Sequence, residues 1–207
     1  MIVCPNCGNI EKDEVQIYNE KLRQQSFSIS PVLPTCKQGG AEVDITHQCI
    51  VLNGTSGSGK SSVAEVLTGK GFLAIGGDCA IQALRHKTGK KKYEWNELIE
   101  EIACEIDILS VFGRNIVLSH IVLPEDLVKY INIFKERNLE YRFFLLKPEY
   151  QTTVERCRTR TCHTSVTSEY WIKHFYDLLV FDSRVVTVDN TKMTAEETAD
   201  YILSGES

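Results

Sequence analysis

A chain of 207 residues with 43% hydrophobic side chains is long enough for one α/β domain of ordinary size, with a sizeable core and a small appendage. Its formal charge of −5 argues against a general nucleic-acid coat, so any anionic partner must be met by a local patch. No stretch approaches the eighteen or so apolar residues of a membrane span, and residues 1–5 lack the basic flank and apolar run of a signal peptide, so the expected location is the cytoplasm.

Residues 1–47 read as a small module of their own. Cys4 and Cys7 stand at C-x₂-C spacing and resemble the first knuckle of a zinc ribbon, in which two thiolates hold one side of a tetrahedral Zn²⁺. Cys36 follows in the same frame, with Gly39 where the fourth cysteine belongs. His47 then completes a Cys4, Cys7, Cys36, His47 zinc set, with Cys49 as the less free alternative. The competing reading is a ribbon that has lost its metal and folds as a β-hairpin module. Residues 15–18 and 26–30 alternate apolar and polar side chains as two half-buried strands would, and Pro31 and Pro34 then break the chain. Five of the eight cysteines (Cys49, Cys79, Cys104, Cys157, Cys162) are scattered through the remainder and read as free thiols, mostly buried.

Residues 48–207 open with an apolar run, 49–53, suited to a buried parallel strand. Gly54, Thr55, Ser56, Gly57, Ser58, Gly59, Lys60 and Ser61 follow and satisfy every fixed position of the phosphate-cradling pattern G-x-x-x-x-G-K-[ST]. The glycines let the backbone turn its N–H groups around phosphate oxygens. Lys60 is expected to reach the β- and γ-phosphates of a nucleoside triphosphate, Ser61 to hold Mg²⁺, and Ser62 to sit in the first turn of a helix whose positive dipole end faces the anion.

A second buried strand is expected over 71–76, with a short helix over 80–86 behind it. A dense positive run spans 85–92. Trp95, Leu98, Ile99, Ile102, Ile106 and Leu109 then mark one apolar stripe of a long helix that Gly113 ends. A third strand is expected over 115–119, and Pro124 stands where a helix reaching about residue 137 would start. A fourth strand over 141–146, helices over 149–158 and 169–179, and a fifth strand over 185–188 complete the alternation. Thr194 and Glu197 form a capping box for a last helix ending near residue 203. Five strands alternating with helices imply a parallel sheet covered on both faces, the three-layer α/β architecture of a P-loop nucleotide-binding domain.

From about residue 48 onward, the motif and the order of parts resemble the small P-loop kinases of the shikimate kinase, gluconate kinase and chloramphenicol phosphotransferase-like group. The resemblance implies an ATP- and Mg²⁺-dependent phosphotransferase acting on a hydroxyl of a small molecule. It places Asp78, just after the second strand, on the acceptor hydroxyl, where a carboxylate orients the group and takes its proton. The competing role is an N-cap for the helix behind it. The resemblance also makes Arg160, with Arg156 second, the lid arginine that offsets charge on the transferring phosphoryl group. It lays the 189–191 turn, with Asn190, beside the base. The chain departs from this pattern at Ser119 and His120, where many P-loop enzymes carry a Mg²⁺-holding acid, leaving Asp78 or water for that role. A second departure is Cys162-His163 in a short lid.

Two other functions fit the sequence. One is a nucleotide-binding regulator that docks through residues 1–47. The other is a kinase of nucleic-acid 5′ ends, with the 85–92 run on the phosphate backbone. The small-molecule kinase absorbs the most residues.

Overall fold

The computed structural model of the protein describes residues 48–110, 112, 114–159 and 168–205. The zinc set Cys4, Cys7, Cys36 and His47, the lid arginine Arg160, and Gly113 lie outside them. The described strands are β1 (Gln48–Asn53), β2 (Leu73–Gly76), β3 (Ile116–Ser119), β4 (Glu140–Leu146) and β5 (Val185–Val188), all parallel, in the order β2-β3-β1-β4-β5. Register sets Leu52 beside Ser119 and Phe144, and Gly76 beside Ser119, so the ends of β2, β3 and β1 open at one edge of the sheet.

Strand side chains alternate between two apolar layers. Val51, Leu118, Phe143 and Leu145 face α2 (Gly77–Thr88), α3 (Trp95–Ser110) and α4 (Leu127–Glu136), meeting Leu84, Ile102 and Phe134. Ile50, Leu52, Val117 and Phe144 face the other way, onto α1 (Lys60–Gly69) and α7 (Ala195–Ser204), through Val63, Leu67 and Ile202. Helices α5 (Tyr150–Thr159) and α6 (Glu169–Leu178) lie between β4 and β5 in the chain and share a small cluster of Val154, Cys157 and Ile172.

The apolar stripe of α3 is buried at Leu98, Ile99, Ile102 and Ile106, with Trp95 and Leu109 packed at its ends. The capping box is made: Glu197 N–H donates to Thr194 Oγ1 at 3.1 Å, and Thr194 N–H donates to Glu197 Oε2 at 2.8 Å. Three expectations shift. β2 is the sheet's edge, starts at Leu73 and buries only Ile75, because Gly71 turns at φ 102° and Phe72 packs into the α1 layer. Pro124 opens a 3₁₀ turn, Pro124–Asp126, ahead of α4. Helix α2 begins at Gly77, directly off the strand.

Cys49, Cys79, Cys104 and Cys157 are free thiols, but only Cys49 and Cys157 are buried. Among the described residues, no helix is long and apolar enough to cross a membrane.

Candidate active site

Asn53, at the end of β1 and 1% exposed, fixes where the glycine loop starts. Its Oδ1 accepts from the N–H groups of Gly54 (2.8 Å) and Val122 (3.0 Å), and its Nδ2 donates to the Val122 carbonyl at 2.8 Å. Gly54, Gly57 and Gly59 then take φ of 142°, 83° and 99°. A Cβ on Gly57 would lie 2.2 Å from the Thr153 carbonyl oxygen, so both conformation and space require glycine there. Helix α1 starts at Lys60, whose Nζ donates to the carbonyls of Gly54 (2.7 Å) and Thr55 (3.0 Å), folding the side chain over the loop.

Ser56, Gly57, Gly59, Lys60, Ser61 and Ser62 line a cleft of about 1100 Å³. Gly54, Thr55 and Ser58 stand behind that surface and shape it. Thr55 is 3% exposed and donates to the Ile172 carbonyl at 3.3 Å, and the Ser58 N–H donates to the Thr55 carbonyl at 3.2 Å.

The same cleft is lined by Asp78, Arg156 and Asn190. Asp78 is in the first turn of α2, exposed, and makes no capping bond; the N-cap is Gly76. The cap role is therefore not the one Asp78 plays. Asn190, following β5, donates from Nδ2 to the Ser58 carbonyl at 3.0 Å and so clamps its own loop onto the glycine loop. Arg156, near the end of α5, donates from Nη2 to the carbonyls of Asn190 (3.0 Å) and Thr191 (3.1 Å), bracing that clamp from the far side. Arg158 points elsewhere, paired with Glu169 at 2.8 Å.

The cleft that Asp78 lines also has an apolar and aromatic lining, from Ile81, Tyr93, Trp95, Ile121 and Phe175. The positive run beside it is partly neutralised: Lys87 pairs with Glu101 at 3.1 Å, Lys90 pairs with Glu97 at 2.8 Å, and the Arg85 guanidinium lies 5.6 Å from the centre of the Tyr93 ring.

His120 occupies the place of the missing acid at the end of β3. It is 5% exposed, stacked on Trp95 with ring centres 5.6 Å apart and 6.2 Å from the ring of Tyr130. Its Nε2, the Trp95 Nε1 and the Tyr130 hydroxyl have no hydrogen-bond partner among the described residues. Burial first, and the neighbouring Lys60 charge second, press the imidazole pKa from 6.5 down to about 3, so it is neutral at ordinary pH. Unfolded, His120 takes up a proton below about pH 6.5; folded, it does not until about pH 3. The unfolded state thus binds more protons in this window, and His120 makes stability fall as pH drops through it. Urea titrations from pH 6.5 to 4 are expected to give wild type a slope steeper than His120→Asn by about 1.4 kcal/mol per pH unit. Parallel slopes would show that the imidazole is not held neutral.

Motif reading did not single out Asn53 or Gly77, and it noted His120 only as a departure from the kinase pattern. The signal for His120 was its position, an imidazole at a strand end where related loops place an acid. Nothing local marks Asn53 or Gly77, because each is specified by a partner about seventy or about forty residues away.

A triphosphate fits this loop, since the glycine backbone, the α1 N-terminus and Lys60 converge on the cleft and no Cβ fills the cradle. For Mg²⁺ the fit is sparser. Ser61 lines the cleft with Glu65 and Asp78, β3 contributes no carboxylate, and no group of three or more His, Cys, Asp or Glu among the described residues is arranged to hold a metal. A Mg²⁺ ion here would rest on the Ser61 hydroxyl, phosphate oxygens and water.

Comparison with known proteins bears on the whole of this region. The model of the chloramphenicol phosphotransferase-like protein family matches residues 47–205. A search of curated proteins returned no match to the sequence. Among solved structures, a gluconokinase from Sinorhizobium meliloti 1021 is 22% identical, with 78% of this chain and 91% of that one covered at a TM-score of 0.56. A tunicamycin resistance protein from Deinococcus radiodurans is 18% identical, covering 76% and 94% at 0.56. An APS kinase from Mycobacterium tuberculosis, solved with AMPPNP and APS, is 20% identical, covering 77% and 96% at 0.53. These likenesses establish the fold. The family match over most of its length makes this chain a member of the chloramphenicol phosphotransferase-like family, and with it a kinase-like P-loop phosphotransferase.

Proposed function

We propose that the protein transfers the γ-phosphoryl group of ATP to a hydroxyl of a small molecule held against Asp78. The observation that carries this reading is that the phosphate loop and an uncapped, exposed carboxylate line one cleft. The backbone from Gly54 to Gly59 and the first turn of α1, with Ser61 and Ser62, hold the phosphates. Lys60 supplies the compensating charge, and Asn190 with Arg156 fixes the loop flanking the nucleotide. Ser61 would hold Mg²⁺, which would supply charge neutralisation at the phosphate oxygens. Asp78 orients the acceptor hydroxyl and takes its proton as the new P–O bond forms and the bond to the ADP oxygen breaks. Arg156 and Arg160 offset charge on the transferring group.

The wall of Ile81, Tyr93, Trp95, Ile121 and Phe175 supports an acceptor with an apolar or planar body. The ion pairs of Lys87 and Lys90 count against the 85–92 run as a nucleic-acid track, which needs its cations available for phosphates. A docking role for residues 1–47, with zinc on Cys4, Cys7, Cys36 and His47, remains a separate proposal that the catalytic reading does not need.

The test is ADP release from MgATP with chloramphenicol, gluconate, APS and a 5′-hydroxyl oligonucleotide offered separately. One of the small molecules is expected to stimulate turnover well above the rate with water alone. Stimulation by the oligonucleotide only would transfer the reading to a nucleic-acid kinase. No stimulation together with no MgATP binding would remove the kinase reading altogether.

A further inference from the structure

We propose that His120 is a positioning residue for phosphoryl transfer, its imidazole wedged against Gly77 so that the first turn of α2 holds Asp78 at a fixed place relative to the phosphate loop. This rests on the reading of Asp78 as the carboxylate that meets the acceptor.

The contact is steric and specific. A Cβ built on Gly77 would lie 2.3 Å from His120 Nδ1, 3.1 Å from its Cγ and 3.3 Å from its Cβ, so the whole root of the ring is in the way. Gly77 is helical and has no positive φ, so its backbone does not need glycine; the imidazole does. The ring borders the cleft on one side and is braced on the others. It is stacked on Trp95 of α3 and flanked by Tyr130 of α4, both packed into the core layer beneath. Close-packed interiors transmit such a push rather than absorb it.

His120 is itself tied to the nucleotide side. Its backbone N–H donates to the Leu52 carbonyl at 3.2 Å, and two residues on, Val122 is bonded through both its N–H and its carbonyl to Asn53, which also holds the first glycine of the loop. A continuous set of contacts therefore runs from Gly54 through Asn53 and the 120–122 segment to Gly77 and Asp78. The third strand here holds the carboxylate of the neighbouring helix in register, where an acid in the same place would hold metal.

The experiment compares wild type, Gly77→Ala, His120→Ala and the double substitution. Three quantities are read: the MgATP Kd by calorimetry, kcat with the most active acceptor of the panel above, and the rate at which iodoacetamide alkylates Cys79, resolved by peptide mass spectrometry. Cys79 is exposed, free and next to Asp78 in the same turn, so its reactivity reports where that turn sits without requiring turnover. Gly77→Ala is expected to lower kcat on the order of 10²-fold, the cost of displacing a catalytic group by about 1 Å. Its MgATP Kd should stay within about twofold, and its Cys79 alkylation rate should shift severalfold. Removing the imidazole in the double substitution should return kcat and alkylation to the values of His120→Ala alone.

Wild-type kcat and alkylation in Gly77→Ala would overturn the proposal, as would a double substitution no better than Gly77→Ala. If circular dichroism shows that Gly77→Ala does not fold, His120→Ala carries the test: about a tenfold loss of kcat, an unchanged KM for ATP and an altered Cys79 rate support the wedge, and wild-type values refute it. Failure of wild type to bind MgATP would instead refute the kinase reading, leaving the alkylation arm to judge the wedge.

Discussion

Replacing Lys60 by Ala is expected to weaken MgATP binding on the order of 10²-fold, about 3 kcal/mol, the loss typical of removing one partner from a desolvated, hydrogen-bonded charge pair. The glycine cradle and the α1 N-terminus survive the change, so residual affinity should come from backbone N–H groups together with Ser61 and Ser62. Lys60 also bonds to the carbonyls of Gly54 and Thr55, and its loss could loosen the loop as well as remove charge. Calorimetric titration alongside urea unfolding of the ligand-free protein separates the two effects. A stability change much smaller than the binding change assigns the loss to the phosphates, whereas equal affinity in both proteins would sink the assignment of this loop to ATP.

The second large effect is expected at Asp78. Asp78→Asn should lower kcat between about 10²- and 10⁴-fold, the range supplied by a positioned general base, while leaving the MgATP Kd within about twofold. Folding should be nearly indifferent, within about 0.5 kcal/mol, because the side chain is exposed and makes no capping bond. The substitution is close to isosteric and keeps a hydrogen-bond acceptor, so what it removes is the ability to take a proton. Steady-state kinetics with the identified acceptor decides it: an unchanged kcat would leave Asp78 as an ordinary surface residue beside the cleft.

What could be read from the chain beforehand divides by the range of the interaction concerned. The glycines of the loop, the stripe of α3 and the Thr194–Glu197 box are local statements, written within a turn or two of backbone, and each appears where its spacing put it. The start of α2 is a different kind of fact. Gly76 and Gly77 look like punctuation after a strand, yet neither has a positive φ, and Gly77 is small because the ring of His120, just past β3, lies on it. That requirement has no footprint in the surrounding sequence. The same holds for the exposure of β2, set by its place at the end of the sheet order, and for Arg156, whose guanidinium braces the 190–191 carbonyls from another helix. Asp78 was placed by the kinase resemblance, as the acid just after the second strand, but whether it capped or faced the cleft depended on where α2 began.

The two apolar layers of the sheet also divide the cleft by where its parts lie in the chain. The phosphate side rests on α1 and α7 on one face, while Ile81, Tyr93 and Trp95 come from a single continuous stretch, residues 77–110, packed on the other. Exchanging bulk at Ile81 or Tyr93 therefore alters one wall without touching the helices behind the phosphate loop, whereas Trp95 also backs His120. If the proposed acceptor rests on that wall, its fit can be changed at Ile81 and Tyr93 while Gly77 and the phosphate loop keep their places.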